Sequence, residues 1–269
     1  MGSVSSVCII GAGNIGTAMA RGLVASGQMT AGQITLTRRH ADKLTGLAGE
    51  GFVTTTDNAA AVAANDLVFV AVEPGQLDEL SKALGPCFVP GQHHLISIVS
   101  GATVADISQH LPAGVSVVRA MPNTAIAVGE SMTCLAAEAG NDLGLQLAGQ
   151  VFESLGTTLV IDEEQMSAAT ALCACGTAFF LRAIRAASQG GIEIGFRAND
   201  ALAMAAQTAK GAAALLLARG LHPEREIDRV TTPRGATISG LNEMEHQGFS
   251  SAMIRGITTS AEKVEKLYR

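Results

Sequence analysis

Along the first 162 positions, apolar residues come in short runs separated by segments of helical spacing. Residues 7–10 are an unbroken apolar run of strand length, and residues 15–26 after it place Ile15, Met19 and Leu23 at helical intervals. Residues 34–37 read as a second short strand. Residues 67–72 and 95–99 are continuous apolar runs, as expected of strands buried on both faces, and residues 116–119 are another. Residues 132–136 and 158–161 add two late strands. Strand–helix alternation at this spacing predicts an α/β fold with a doubly wound parallel sheet. After Asp162 the strand signals stop. Residues 163–189, 198–219 and 243–268 read as long helices rich in Ala, Leu, Ile and Met, with breaks at Gly190-Gly191, Gly195, 220–223 and 233–240. The expected organisation is therefore two domains, 1–162 and 163–269, the second all-helical.

Composition sharpens this picture in two places. Charged residues make up 16% of the 269 and aromatics 3%, while 48% are hydrophobic. Ala-rich helices pack closely, and so low a charge fraction predicts that part of the helix surface is covered by another subunit. Residues 201–218 form the most apolar long stretch. They include Gln207, Thr208 and Lys210 and barely reach the length that spans a bilayer, so an interface helix is the better reading than a membrane span. The net charge of −6, with no basic run longer than Arg38-Arg39, argues against a nucleic-acid partner. Five cysteines without framework spacing point to a reducing compartment, and the N-terminal residues offer no basic and apolar leader, so a cytoplasmic location is expected. Cys173-x-Cys175 and the adjacent His93-His94 lack metal-ligand spacing, and no metal site is expected.

Gly11-Ala12-Gly13-Asn14-Ile15-Gly16 is a complete G-x-G-x-x-G between a strand and a helix, the context in which that pattern binds a dinucleotide. Gly11 permits the tight turn, Gly13 lets a pyrophosphate approach the backbone, and Gly16 lets the helix pack close to the strand. Free N–H groups and the helix dipole would hold the phosphates. At the end of the second strand stand Thr37, Arg38 and Arg39, where an acidic residue would bind the ribose 2′-hydroxyl of NAD. Two guanidiniums and a hydroxyl suit a 2′-phosphate, so NADPH is expected, with NADH as the weaker substitute.

From Arg119-Ala120-Met121-Pro122-Asn123-Thr124 onward the chain resembles the Δ1-pyrroline-5-carboxylate reductases. The resemblance also takes in Ala71-Val72-Glu73-Pro74, residues 97–101, Gln207-Thr208 with Gly211-Ala212-Ala213, His222-Pro223, residues 230–238, Gly240-Leu241 and Glu245-x-x-Gly248-Phe249. It implies a Rossmann-type dinucleotide-binding domain followed by a helical substrate-binding domain. That second domain would interlock with its copy in a homodimer, with higher assemblies open. It implies NADPH-dependent hydride transfer to the C=N carbon of Δ1-pyrroline-5-carboxylate, giving L-proline. By the same resemblance Thr237 bonds near the imine nitrogen, and Thr232, Gly235 and Ala236 form the carboxylate pocket. Met121, Pro122 and Asn123 would lie beside the nicotinamide, Asn58 near the adenosine ribose, and the backbone of Ala71, Val72 and Pro74 along the cofactor. For three of these, plain structural readings stand beside the functional ones: a helix cap for Thr237 or Asn58, and a strand-ending turn for Pro122-Asn123.

Four positions depart from the family pattern. Glu73 stands where Lys is common, and its carboxylate is expected to point away from bound phosphates. Ala174-Cys175-Gly176-Thr177-Ala178-Phe179 replaces a Gly-Ser-Gly-Pro-Ala-Tyr stretch and loses its proline, and Ala125 replaces another proline. Arg234 stands where Gly is usual, so it either occupies a backbone conformation suited to glycine or adds a cation near the substrate carboxylate. Two other functions remain open: reduction of a different cyclic imine or small keto acid, and a non-catalytic NADP-binding role.

Overall fold

The computed structural model describes residues 4–268. It divides into two compact units. One runs to Cys175 and takes in the described residues from Ser260 on; the other is Gly176–Thr259.

The first unit is built on eight strands: β1 (Val7–Ile10), β2 (Ile34–Thr37), β3 (Val53–Thr55), β4 (Leu67–Val70), β5 (His94–Ser97), β6 (Ser116–Met121), β7 (Ser131–Ala137) and β8 (Gly156–Val160). They form one sheet in the order β3-β2-β1-β4-β5-β6-β7-β8. All pairs are parallel except β6–β7. The parallel sheet expected from the apolar runs is thus correct through β6, and β7 and β8 run against it as a reversed edge. The six helices among these strands are α1 (Asn14–Ala25), α2 (Thr45–Gly49), α3 (Asn58–Ala63), α4 (Pro74–Leu84), α5 (Val104–Ser108) and α6 (Asp142–Glu153).

Strand alternation sends successive residues to opposite faces, and each face has its own core. Val7, Ile9, Leu67 and Phe69 pack with Met19 and Leu23 of α1 and with Val151 and Phe152 of α6. Phe69 and Phe152 meet edge to face at 5.9 Å. On the other face Cys8, Ile10, Val68 and Val70 pack with Val62 of α3, Leu77 and Leu84 of α4 and Ile107 of α5. Helices on both faces explain why β1 and β4 are buried at every position.

The helical run predicted over 163–189 is real but changes pitch. A 3₁₀ turn (Glu163–Gln165) leads into α7 (Met166–Ala169), a π-helical segment (Thr170–Cys175) and α8 (Gly176–Glu193). The first compact unit runs on to Cys175, where Met166 and Cys173 pack with Met121 and Cys134 of the sheet. In the second unit, α9 (Ala198–Arg219) lies against α8, and α10 (Pro223–Val230) and α11 (Ala236–His246) follow. The single helix predicted over 243–268 is two. Gly248, at φ 79°, ends α11 and lets α12 (Phe249–Val264) start in a new direction.

Candidate functional site

The glycine turn is tied to both neighbouring strands. Gly11 and Ala12 donate their N–H groups to the Thr37 carbonyl at 3.2 and 2.8 Å. Gly11 has φ 101°, and a Cβ there would stand 2.5 Å from the Ala71 carbonyl oxygen, so neither conformation nor space admits another residue. Helix α1 then opens, its first bond running from Thr17 N–H to the Gly13 carbonyl at 3.0 Å. The N–H groups of Asn14, Ile15 and Gly16 precede that bond, no side chain caps them, and the first turn holds no acidic residue. Orphan donors at the positive end of a helix dipole make a seat for an anion. A Cβ on Gly13 would meet nothing within 4 Å, so open space lies before the turn. On Gly16 it would come within 2.5 Å of the Gly11 carbonyl oxygen, which assigns that residue to helix packing.

A cavity of about 480 Å³ lies at the carboxyl ends of β1, β2 and β4, where the strand order reverses. It brings together Gly11, Gly13, Arg38, Arg39, Asn58, Ala71 and Val72 from the expected set. The two arginines differ. Arg38 donates to the Ala12 carbonyl at 3.2 Å, bracing the turn from β2, and also lines a second cavity of about 310 Å³ with Asn14, Thr17 and Arg21. Arg39 lines the larger cavity alone. Asn58 is the first residue of α3 and not its cap; Asp57 accepts the Ala60 N–H at 3.0 Å in that role. Glu73 does line the cavity, from an exposed position before α4 where its side chain caps nothing. The buried Thr37 hydroxyl, also in the wall, has no partner among the described residues. Two guanidiniums, uncapped N–H groups and open space at Gly13 fit a phosphorylated dinucleotide.

Other expected residues lie outside both cavities. Ile15 packs against the core, and Pro74 is the first residue of α4. Met121 and Pro122 are buried. Asn123 is occupied by the turn itself. Its N–H donates to Ser131 Oγ at 3.1 Å, its Oδ1 accepts from Ala125 N–H at 3.0 Å, and its Nδ2 donates to the Cys173 carbonyl at 3.2 Å. These bonds fix the turn that ends β6 at Pro122-Asn123. Among the lining residues that sequence reasoning missed are Gln76, Glu79, Leu80 and Ala83. They recur at helical spacing on one face of α4, a pattern that the strand-end motifs do not announce.

In the second unit, Gly235 N–H donates to the Thr232 carbonyl at 2.8 Å, closing a turn with Pro233 and Arg234 at its centre. Arg234 has φ 60° and is the one non-glycine residue with positive φ among those described. Proline followed by a positive φ is the pattern of a type II turn, which favours glycine at the second place. A Cβ on Gly235 would collide with the Thr232 hydroxyl. Helix α11 follows with Gly235 at its N-cap and no side-chain cap. Thr237 is the helix's second residue, exposed, so the cap reading does not hold and its hydroxyl is free to meet a ligand.

Known proteins match both halves. Residues 163–267 fit the family described as pyrroline-5-carboxylate reductase dimerisation. Residues 6–101 fit the one described as NADP oxidoreductase, coenzyme F420-dependent. Pyrroline-5-carboxylate reductase 1 of Dictyostelium discoideum is 52% identical over 98% of this chain, and the chain spans about half (50%) of that protein's length. Pyrroline-5-carboxylate reductase 2 of the same organism is 47% identical over 97% of this chain and 92% of its own. The structure of Plasmodium falciparum pyrroline carboxylate reductase with NADP bound superposes with a TM-score of 0.89 over 99% of both chains, at 21% identity, and so speaks to the fold. With relatives this similar along almost its full length, the chain belongs to the pyrroline-5-carboxylate reductase family.

Proposed function

We propose that this protein reduces the C=N bond of Δ1-pyrroline-5-carboxylate with NADPH and releases L-proline, the closing step of proline synthesis. The observation that carries the reading is the cavity at the strand-order reversal, which gathers Gly11, Gly13, Arg38 and Arg39 around open space. When bound there, the cofactor supplies the hydride. The chain's residues bind and orient. The uncapped N–H groups of Asn14 to Gly16 hold the pyrophosphate. Arg39 takes the 2′-phosphate while Arg38 keeps the turn in place. NADH, lacking that phosphate, is the weaker donor. Asn58, Ala71, Val72 and Pro74 follow the adenosine half, and Met121, Pro122 and Asn123 border the nicotinamide. In the helical unit, the N–H groups at the start of α11, with Thr232, Gly235 and Ala236, hold the substrate carboxylate, and Thr237 bonds at the imine nitrogen. The cyclic imine can arrive protonated, so geometry and not a strong acid is what the protein must add.

Residues 163–269 form the substrate and dimerisation domain, pairing with a second copy of the chain, and assemblies of such dimers fit the same surfaces. Five free cysteines suit a reducing cytoplasm. Neither membrane nor nucleic acid enters this reading.

The test is to follow NADPH oxidation with Δ1-pyrroline-5-carboxylate, with NADH in parallel and proline identified as product. Thr237→Ala should lower turnover about ten- to a hundredfold, the worth of one charge-assisted hydrogen bond, while NADPH binding stays nearly intact. No turnover with NADPH still bound would shift the assignment to another imine. Equal loss of turnover and NADPH binding in Thr237→Ala would make that residue structural.

A further inference from the structure

Three elements bring sulfur together behind the sheet edge. Met121 ends β6, Cys134 lies in β7, and Met166 and Cys173 come from α7 and the π-helical segment. The Cys173 side chain packs against the buried cluster that holds Cys134, within hydrogen-bonding reach of its thiol. Cys134 cannot move: it is 3% exposed and paired on both sides, with Met121 of β6 and Leu159 of β8. Cys173 is only partly buried and sits in the π-helical segment, outside the strand ladder that holds Cys134.

We infer that Cys134 and Cys173 form an oxidisable dithiol, a modification site at which a hydroperoxide joins β7 to the π-helical segment through a disulfide. The roles of the two sulfurs differ. Hydrogen bonding from Cys134 holds the Cys173 thiol below the usual cysteine range, whereas the same bond and burial push Cys134 above it. Cys173 is therefore the attacking group. Its sulfur bonds to one peroxide oxygen, the O–O bond breaks, and the departing hydroxide takes a proton to become water. The Cys134 sulfur then attacks the sulfenic sulfur, the S–O bond breaks, and a second water leaves with the Cys134 proton. Two thiols lose two electrons in all and the peroxide is reduced to two waters. Closing the bond draws Cys173 toward β7. Its carbonyl accepts from Asn123 Nδ2, so the pull reaches the turn that ends β6.

The test uses the full chain, first reduced and then exposed to one equivalent of hydrogen peroxide. Thiols titrated in denaturant should fall from five to three. Peptide mapping should find the Cys134 and Cys173 peptides joined and two hydrogens lighter, and dithiothreitol should restore both thiols. Cys134→Ser should leave Cys173 as a sulfenic acid that dimedone traps. If that variant does not fold, the wild-type map decides alone. Five intact thiols, a bond formed through Cys87 or Cys175 instead, or sulfinic acid at Cys173 beside an untouched Cys134 would overturn the inference. None of these readouts depends on turnover, so the proposed reductase activity can fail without affecting them.

Discussion

Arg234 carries a backbone cost that glycine would not. At φ 60° an L side chain crowds the following carbonyl, at about 1–2 kcal/mol, and glycine gives back about 0.5–1 kcal/mol through its greater freedom when unfolded. Arg234→Gly should therefore stabilise the protein by about 0.5–1 kcal/mol, seen as a higher urea midpoint at unchanged slope. A lower midpoint would mean that the guanidinium makes a compensating contact in the assembled protein. The sequence left two readings of Arg234, a backbone suited to glycine or an added cation near the substrate carboxylate, and the positive φ bears out the first. The same residue-level reasoning located Gly11, Gly16 and the arginine pair. It did not fix Asn123, whose partners Ser131 and Cys173 come from distant parts of the chain.

At the scale of elements, β1 and β2 match the predicted strands residue for residue, and β1 is apolar throughout, since a strand buried on both faces leaves little room for polar residues. β3 was not legible. It has three residues, and its one large apolar side chain, Val53, is 47% exposed at the sheet edge. Nor were the pitch changes after Asp162, because 3₁₀, α and π turns share one composition. The join between strands and helices is made by a polar group. Glu163 Oε1 accepts from the Val104 N–H at 2.6 Å, at the start of α5, and from Arg119 Nη1 of β6 at 3.2 Å. The Arg119 side chain is 6% exposed, and burial lowers its pKa against the pull of Glu163. Removing one member of a buried pair costs about 3–5 kcal/mol, less here because the Glu163 side chain is 29% exposed. Glu163→Ala should thus lose about 2–3 kcal/mol in chemical denaturation. Glu163→Gln should recover roughly half of that, since its amide oxygen can still accept both bonds. Equal losses in the two variants would assign the whole effect to charge.

For the molecule as a whole, the exposed apolar surface is the feature one chain leaves unexplained. Phe180 and Leu181 of α8, Leu217 of α9 and Ile254 of α12 are each at least 60% exposed, and Ala201 is the buried residue of α9. Helix α9 and the run 163–193 are long and apolar enough to cross a membrane. Lys210 in the middle of α9 would then face lipid or need a partner, whereas a protein interface accommodates it at its rim. The family match over 163–267 carries a dimerisation domain, and a second copy would cover such a surface without new chemistry. Leu217, at 87% exposed, tests this because its loss cannot harm the single chain's core. If the dimer buries it, each copy contributes about 2 kcal/mol, and two copies together change the dissociation constant about a thousandfold. Leu217→Glu should then sediment as monomer at micromolar concentration with its helix content unchanged. Val128→Glu, on the dinucleotide-binding unit and 76% exposed, should remain associated. The reverse pattern, with Val128→Glu dissociating and Leu217→Glu intact, would move the interface off the helices and onto the sheet-bearing unit.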